Sequence, residues 1–245
     1  MIDLTNVKIL AVDDEVDLLD IITRGFKALD FEVLKAYSGN EAWKILQTEQ
    51  VDTVITDVRM EDGTGLELLE KIKKRNPNKP KVFIISGYAD FSLEEIYAKG
   101  ADGLFNKPFE GKTVSSAIRK SLLPLDQCWA VPQVGEKHFL FEKTIKSFDL
   151  AQTINIISFG RGGFFFPLAQ DFPKEGDSCE FKFCAEDLLL TVRGHGKVRW
   201  VRRQKENERQ SGVGVEIKYI DPIGRGEFCN WLESKKNLLS YIPRG

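Results

Sequence analysis

Five side chains that can bind a metal ion or a phosphoryl group are spread through the first half of the chain: Asp13, Asp14, Asp57, Ser86 and Lys107. Carboxylates that lie close together repel one another, so such a group requires a cation, and a hard divalent ion such as Mg²⁺ suits oxygen ligands. Asp57 would then act as a nucleophile toward a phosphoryl group. Ser86 and Lys107 would donate to the transferred oxygens.

Each of these residues lies at the carboxyl end of a short apolar segment that predicts a buried strand. The predicted strands are Val7–Val12, Phe31–Tyr37, Val51–Met60, Lys81–Ser86 and Gly103–Asn106. Helical periodicity begins at Val16 and recurs over Gly39–Gln50, Leu66–Lys74, Glu94–Lys99 and Phe109–Leu123. This alternation predicts an α/β doubly wound, five-stranded parallel sheet, in which right-handed crossovers bring all carboxyl strand ends to one edge.

The segment from Val7 to Leu123 resembles a response-regulator receiver domain of two-component systems. The resemblance is carried by Asp13-Asp14, by Asp57 with Met60 and Gly65 after it, by Ser86-Gly87, and by Phe105-Asn-Lys107-Pro108. It implies that a sensor histidine kinase or a phosphotransfer protein phosphorylates Asp57. It also implies no enzymatic activity apart from self-catalysed phosphotransfer to Asp57 and hydrolysis from it.

The same resemblance implies roles for individual residues. Asp14, Asp57 and the backbone carbonyl of Arg59 would bind Mg²⁺ directly, and Asp13 would act mainly through water. Ser86 and Phe105 occupy the positions of the family's switch pair. Glu61 replaces the proline that usually follows the methionine, and Arg59 and Tyr88 flank the phosphorylation site. We hypothesise that the bulk of Arg59 and Tyr88 slows hydrolysis of the acyl phosphate.

Two prolines and a glycine interrupt the helical pattern after Leu123 and mark a boundary. We predict a receiver domain at 1–123, a linker at 124–135 and a second domain at 136–245. Leu125, Trp129 and Val131 indicate that the linker packs on one of the domains rather than forming a free tether.

Strand-length segments separated by turn residues follow the boundary. They are Phe139–Phe141, Ile154–Ile157, Gly163–Phe166, Cys179–Cys184, Leu188–Val192, Gly196–Val201 and Gly214–Ile220. This pattern predicts a mainly antiparallel β-barrel with a C-terminal helix over Pro222–Ser240.

The second half resembles a PilZ domain in Asn155-Ile-Ile-Ser158, Gly162-Gly163-Phe164-Phe165, Gly176-Asp177, Gly196-Lys-Val-Arg-Trp200 and Gly212-Val-Gly-Val215. That family commonly binds cyclic di-GMP through an R-x-x-x-R arm and a D/N-x-S-x-x-G strand. Here the arm offers only Lys137, Lys143 and Lys146, Asn155 lies one position too early, and Arg161 replaces the glycine. Because lysine lacks the planar fork of arginine, a protein partner is favoured over the nucleotide.

A basic segment offers a different function. Arg193, His195, Lys197 and Arg199 alternate and so share one face of a strand, and further basic residues follow at Arg202, Arg203 and Lys205. They could bind phosphates of nucleic acid or another anion. A solvated strand face balanced by Glu206 and Glu208 is favoured, because no recognition helix accompanies the segment.

Composition is that of a cytoplasmic protein without membrane insertion. The 245 residues carry a net charge of −2, and no apolar run approaches the roughly 20 residues that span a bilayer. The four cysteines show no metal-binding spacing, which indicates reduced thiols.

We expect a response regulator whose PilZ-like half contacts an output protein. A cyclic di-GMP receptor, a nucleic-acid-binding regulator using Arg193–Arg203, and a homodimerisation module are the alternatives.

Overall fold

Two units make up the chain, Met1–Leu123 and Pro124–Gly245. The computed structural model describes residues 6–87, 92–132, 139–207, 209–235 and 238–245. No helix among these residues is long and apolar enough to cross a membrane.

The first unit contains the five-stranded parallel sheet that the sequence predicts. Its strands are β1 (Lys8–Val12), β2 (Glu32–Ala36), β3 (Thr53–Asp57), β4 (Lys81–Ser86) and β5 (Gly103–Asn106). Their order in the sheet is β2-β1-β3-β4-β5, and every neighbouring pair is parallel. The organising strand is shorter than the predicted Val51–Met60, so Asp57 is its last residue.

Helices cover both faces of this sheet. They are α1 (Val16–Lys27), α2 (Gly39–Thr48), α3 (Gly65–Arg75), α4 (Leu93–Ala98) and α5 (Gly111–Ser121). Ser38 caps α2 by accepting from the Glu41 amide, as its position before the helix predicts. Successive strand residues enter opposite cores: Val54 packs in one cluster and Ile55 in the other. Burial on both faces explains the continuous apolar runs Ile9–Val12 in β1 and Val82–Ile85 in β4.

A buried ion pair joins α3 to the sheet at the edge where the strands begin. The Lys73 ammonium lies 2.7 Å from an Asp102 carboxylate oxygen, and both side chains are at most 2% exposed. Lys73 also donates to the Pro80 carbonyl at 3.1 Å, and Asp102 accepts from the Val82 amide at 2.8 Å. Both charges are therefore compensated where water cannot reach them.

The second unit begins with a short helix, α6 (Leu125–Cys128), and is built on one six-stranded sheet. The strands are β6 (Phe139–Ile145), β7 (Ser158–Phe159), β8 (Gly163–Pro167), β9 (Ser178–Ala185), β10 (Leu190–Arg202) and β11 (Gly212–Ile220). Their order is β6-β9-β10-β11-β8-β7, with β6 and β9 parallel and all other pairs antiparallel. The described part of the chain thus forms a half-barrel, where the sequence suggested a closed barrel.

Four predicted elements of this unit are corrected by the structure. Ile154–Ile157 is not a strand: it follows helix α7 (Phe148–Thr153), which Ser147 caps, and Asn155 has a φ of 54°. The two strands predicted at Leu188–Val192 and Gly196–Val201 are parts of the single strand β10. The last helix, α8 (Pro222–Ser234), ends six residues before the predicted Ser240.

Aromatic rings fill the core beneath the half-barrel. Phe148, Phe159 and Phe228 are at most 1% exposed, and their ring centres lie 5.3 to 5.7 Å apart in edge-on arrangements. Trp129, from the predicted linker, is 1% exposed and lies 6.3 Å from the Phe228 ring. Its carbonyl accepts from the Ile220 amide. Residues 125–129 therefore pack on the second unit.

Candidate functional site

The register of the parallel sheet brings the candidate side chains of the first unit to one edge. Asp57 is level with Ile85, and Ser86 is level with Asn106, so Lys107 follows at the same height. Asp13 directly follows the end of β1, which is the other neighbour of β3. This is the edge where ligands bind in open α/β sheets.

Lys107 connects two of the three carboxylates. Its ammonium lies 2.6 Å from Oδ1 of Asp57 and 2.9 Å from Oδ2 of Asp13. Burial by itself lowers the pKa of Lys107, but hydrogen bonds to Asp57 and Asp13 outweigh burial and hold the pKa above its ordinary value. The lysine is therefore fully charged at neutral pH and compensates part of the acidic cluster.

Backbone amides hold the other carboxylate oxygens. Oδ2 of Asp57 accepts from the Arg59 amide at 2.6 Å, and Oδ2 of Asp14 accepts from the Glu61 amide at 3.2 Å. The Asp13 carboxylate is 4% exposed and the Asp57 carboxylate 13%, whereas Asp14 is exposed. The loop after β3 is thus attached to both Asp57 and Asp14.

The donor set fits Mg²⁺ in kind and in charge. One ammonium among three carboxylates leaves an excess of negative charge, and all the nearby acceptors are hard oxygens. Among the described residues, no group of three or more histidine, cysteine or acidic side chains encloses a ready-made metal site. Mg²⁺ ordinarily keeps several waters and binds through one or two carboxylates, so it does not require such an enclosure.

The remaining receiver residues are placed as follows. Ser86 is 9% exposed, and its carbonyl accepts from the Lys107 amide at 2.9 Å. Phe105 is half-buried and stacks on Phe83 with ring centres 5.9 Å apart. Tyr88 lies outside the described residues. Arg59 is exposed beside Asp57, and its proposed effect on hydrolysis stays a prediction.

The positioning of the loop after β3 depends on residues that the site prediction did not include. Thr64 and Glu67 form a reciprocal capping box at the start of α3. A Cβ on Gly65 would overlap the Asp57 carbonyl, so only glycine lets α3 begin this close to the strand end. The T-x-x-E spacing is visible in the sequence and could have identified this helix start.

The candidate nucleotide-binding residues of the second unit have different environments. Lys143 and Lys146 are exposed on and after β6, and Asn155 is exposed after α7. Lys137 lies outside the described residues. Ser158 is 8% exposed in β7, and Arg161 is 7% exposed and donates to the Leu239 carbonyl. Arg161 is therefore engaged by its own chain instead of being presented to a ligand.

The basic face of β10 is formed as predicted, but acids other than the expected ones compensate it. Arg193 is exposed, and Lys197 and Arg199 are half-buried on the same face. Arg199 pairs with Glu216 at 2.6 Å, and Lys218 pairs with the same carboxylate at 2.7 Å. Burial alone would raise the pKa of Glu216, but the charges of Lys218 and Arg199 hold it low.

His195 lies 4.0 Å from Glu180 of the neighbouring strand β9. Lys182, also on β9, pairs with Glu142 of β6. The acids beside the basic face of β10 are therefore Glu180 and Glu216, where the sequence suggested Glu206 and Glu208. Glu208 lies outside the described residues. On this face Arg199 pairs with Glu216 and His195 lies near Glu180, and these carboxylates weaken the attraction of the face for phosphate.

Comparisons with known proteins identify the first unit. The response regulator receiver domain family matches residues 9–119. The chain is 30% identical over 128 residues to the transcriptional regulatory protein GlrR of Escherichia coli (strain K12), a match that covers 49% of this chain and 28% of that regulator. It is 29% identical over 118 residues to sporulation initiation phosphotransferase F of Bacillus subtilis (strain 168), covering 48% of this chain and 94% of that protein.

A solved response regulator receiver domain protein from Clostridium thermocellum is 32% identical, with 47% of this chain and 94% of that chain covered and a TM-score of 0.44. The chain spans little more than a quarter of the length of GlrR. Receiver domains are phosphorylated on an aspartate in two-component signalling, and the acidic edge of the first sheet has the side chains for that chemistry. Residues 9–119 of this chain are a response regulator receiver domain.

Proposed function

We propose that the chain is a response regulator in which Asp57 accepts a phosphoryl group from a phosphohistidine of a sensor kinase or phosphotransfer protein. A carboxylate oxygen of Asp57 attacks phosphorus and forms a phosphorus–oxygen bond. The phosphorus–nitrogen bond to the histidine breaks, and that nitrogen takes up a proton. The product is an acyl phosphate on Asp57, which water later hydrolyses.

The observation that carries this proposal is the position of Lys107. Its ammonium lies 2.6 Å from an Asp57 oxygen, so it is already placed to donate to a phosphoryl oxygen bonded there. Ser86, buried at the end of β4 between the strand that ends at Asp57 and the strand that precedes Lys107, supplies a hydroxyl as a further donor. Such preorganised donors stabilise charge that develops during transfer.

We also propose Mg²⁺ as the cofactor of this site. Asp14, Asp57 and the Arg59 carbonyl are the direct ligands, and Asp13 acts through water. The bound ion supplies neutralisation of the phosphoryl oxygens. The three acidic side chains would hold the ion, and Lys107 pairs with Asp13 and Asp57.

Calorimetric titration with Mg²⁺, followed by beryllofluoride, tests the site. Wild-type protein should bind the metal and then the phosphoryl mimic, and the Asp14→Asn variant should bind Mg²⁺ roughly tenfold more weakly. Asp187→Asn, an exposed aspartate in the second unit, is the matched control. Equal Mg²⁺ affinity in wild type and Asp14→Asn would remove Asp14 from the ligand set.

For the second unit we propose a PilZ-like output module that contacts a protein partner. The supporting observation is that three of the segments that resemble a PilZ domain lie on neighbouring strands. They are Gly162–Phe165, Gly196–Trp200 and Gly212–Val215, and β11 pairs with both β8 and β10. Pull-downs from native lysate with and without beryllofluoride test the coupling. A bound set that does not change with the mimic, or that changes equally in Asp57→Asn, would contradict phosphorylation-controlled output.

The alternatives have weaker support. Cyclic di-GMP binding would have to use Arg161, which is engaged by residue 239, and calorimetric titration with the nucleotide tests it directly. Nucleic-acid binding would have to use a face that Glu180 and Glu216 compensate, and salt-dependent DNA binding tests it.

Light scattering tests for a homodimer. A cytoplasmic location remains part of the proposal and is tested by cell fractionation.

A further inference from the structure

The segment at residues 238–245, here called the strap, packs on the second unit outside any helix or strand. It follows α8, which ends at Ser234. Ile242 of the strap is fully buried, while Leu239 is 47% exposed. The strap is thus anchored at specific residues instead of being buried along its whole length.

The turn between β7 and β8, residues Gly160 to Gly163 and here called the glycine turn, binds the strap through its backbone. The Arg161 amide donates to the Ser240 carbonyl at 3.0 Å, and the Gly162 amide donates to the Tyr241 carbonyl at 2.9 Å. These bonds involve only main-chain atoms on both sides. They would form with any extended segment that reached the same position.

The glycines of this turn create the space that the strap fills. A Cβ on Gly162 would overlap the Tyr241 ring, and a Cβ on Gly160 would lie 2.5 Å from the Tyr241 carbonyl oxygen. A Cβ on Gly163 would lie 3.0 Å from a side-chain carbon of Ile242. A side chain at Gly160 or Gly162 would therefore displace the strap, whereas a Cβ at Gly163 would first meet the Val215 carbonyl of β11 at 2.1 Å. Gly160 and Gly162 thus shape a surface for an extended chain.

Two arginines hold the strap at its ends. Nε of Arg161 donates to the Leu239 carbonyl at 3.4 Å, and Nη2 of Arg202 donates to the Arg244 carbonyl at 3.0 Å. Arg202 is 4% exposed, and its guanidinium lies 5.4 Å from the centre of the Trp200 ring. These hydrogen bonds also go to carbonyls, and the Arg161 guanidinium lies 5.9 Å from the centre of the Tyr241 ring.

We propose that the glycine turn is a recognition site for an extended segment of a protein partner, and that the strap is the internal occupant which this segment displaces. Specificity comes from the two places where a side chain enters: an aromatic ring over Gly162, and the branched apolar side chain of the next residue in the pocket of Ile242. Backbone bonds to Arg161 and Gly162 supply affinity. The inference does not depend on phosphorylation of Asp57.

Tethering explains why the site is closed in the free protein. A short connection gives the strap a local concentration on the order of millimolar, so a free segment competes only when it binds well or when the strap is weakened. Ile242→Asp in the full chain weakens the strap, because it places a carboxylate in an apolar pocket. Leu239→Asp is the matched control, since that side chain is largely exposed.

The test is fluorescence anisotropy with a labelled peptide of the sequence of residues 238–245. The peptide should bind Ile242→Asp at least roughly tenfold more tightly than it binds wild type or Leu239→Asp. Adding Gly162→Val to Ile242→Asp should abolish binding, because the new side chain fills the place of the tyrosine ring. Hydrogen exchange at the Arg161 and Gly162 amides should be faster in Ile242→Asp than in wild type.

Three results would overturn the proposal. The peptide could fail to bind Ile242→Asp although both amides exchange rapidly. It could bind equally with and without Gly162→Val. Ile242→Asp could also unfold the second unit, measured by loss of its near-ultraviolet circular dichroism, which would make the strap an integral part of the core.

Discussion

At the scale of residues, Lys107 compensates the charge of the carboxylates at the acidic edge of the receiver sheet. It is within hydrogen-bonding distance of both Asp13 and Asp57, and its ammonium is the cation that the described structure supplies to them. The same contacts that compensate the carboxylates also place a donor where phosphoryl oxygens would lie. Structural and chemical roles therefore coincide in one side chain.

Replacing Lys107 by methionine should slow phosphorylation by a small-molecule phosphodonor by about 10²-fold, because a preorganised donor to the transferred group is lost. Lys112→Met changes an exposed lysine of α5 and should leave the rate unchanged. The rate is measured by separating phosphorylated and unphosphorylated protein over time. Similar rates in the two variants would show that Lys107 is not a donor to the phosphoryl group.

The contribution of Lys107 to stability should depend on pH in the alkaline range. Because its pKa in the folded protein is raised above 10.5, the charged form is favoured by folding, and this stabilisation is complete below 10.5. It is lost as pH rises through the raised pKa. The difference in unfolding free energy between wild type and Lys107→Met should therefore be constant at neutral and mildly alkaline pH and shrink above about 10.5. Urea unfolding across this range measures it, and a difference that shrinks below pH 9 would contradict the pairing.

At the scale of elements, the buried pair of Lys73 and Asp102 links α3 to β4 and β5. Removing the lysine leaves the buried carboxylate with the longer contact to Lys81, at 3.8 Å, so Lys73→Met should lower the unfolding free energy of the first unit by about 3–5 kcal/mol. Lys74→Met, one position along the same helix but exposed, should have little effect. Urea unfolding compares the two variants.

Adding Asp102→Asn to Lys73→Met should restore part of the lost stability, because the poorly compensated buried charge is removed while an acceptor for the Val82 amide is kept. If Lys73→Met were as stable as Lys74→Met, the pair would contribute nothing to the attachment of α3.

The strands and helices of the first unit were predictable because the local sequence patterns all favour the same fold. The apolar strands, the cap at Ser38 and the acids at strand ends all point to one alternating fold. Lys107 could be placed near Asp57 because parallel strands share a carboxyl edge. The buried ion pair could not be predicted, since Lys73 and Asp102 are 29 residues apart and nothing local distinguishes Lys73 from its lysine neighbour.

The second unit was harder to predict because its local sequence patterns favour competing structures. Ile154–Ile157 has strand-like composition, but the Ser147 cap starts a helix just before it, and the chain turns at Asn155. Glycines at 194 and 196 suggested a break in β10, whereas they allow close contact with Tyr219 and Val215 inside one continuous strand. The hydrogen bond from Arg161 to the strap joins residues far apart in the sequence, so no local pattern predicts it.

At the scale of the whole molecule, the segment after the receiver is an integral part of the second unit. Trp129→Ala should lower the unfolding free energy of the second unit by about 3–5 kcal/mol, because it removes a fully buried ring from the aromatic core. Val131→Ala, at a side chain that is 67% exposed, is the control. Phosphorylation of the receiver should be unchanged in both variants. An equal, small effect of the two substitutions would show that Trp129 does not anchor the segment.

Asp57 is our proposed phosphoryl acceptor of the receiver domain. This proposal is tested most directly by reacting the full chain with a phosphodonor and Mg²⁺, reducing the acyl phosphate with borohydride, and mapping the modified residue by mass spectrometry. We expect one modified residue, Asp57, and no modification in Asp57→Asn. Modification at another aspartate in the wild type, or undiminished phosphorylation of Asp57→Asn, would contradict it.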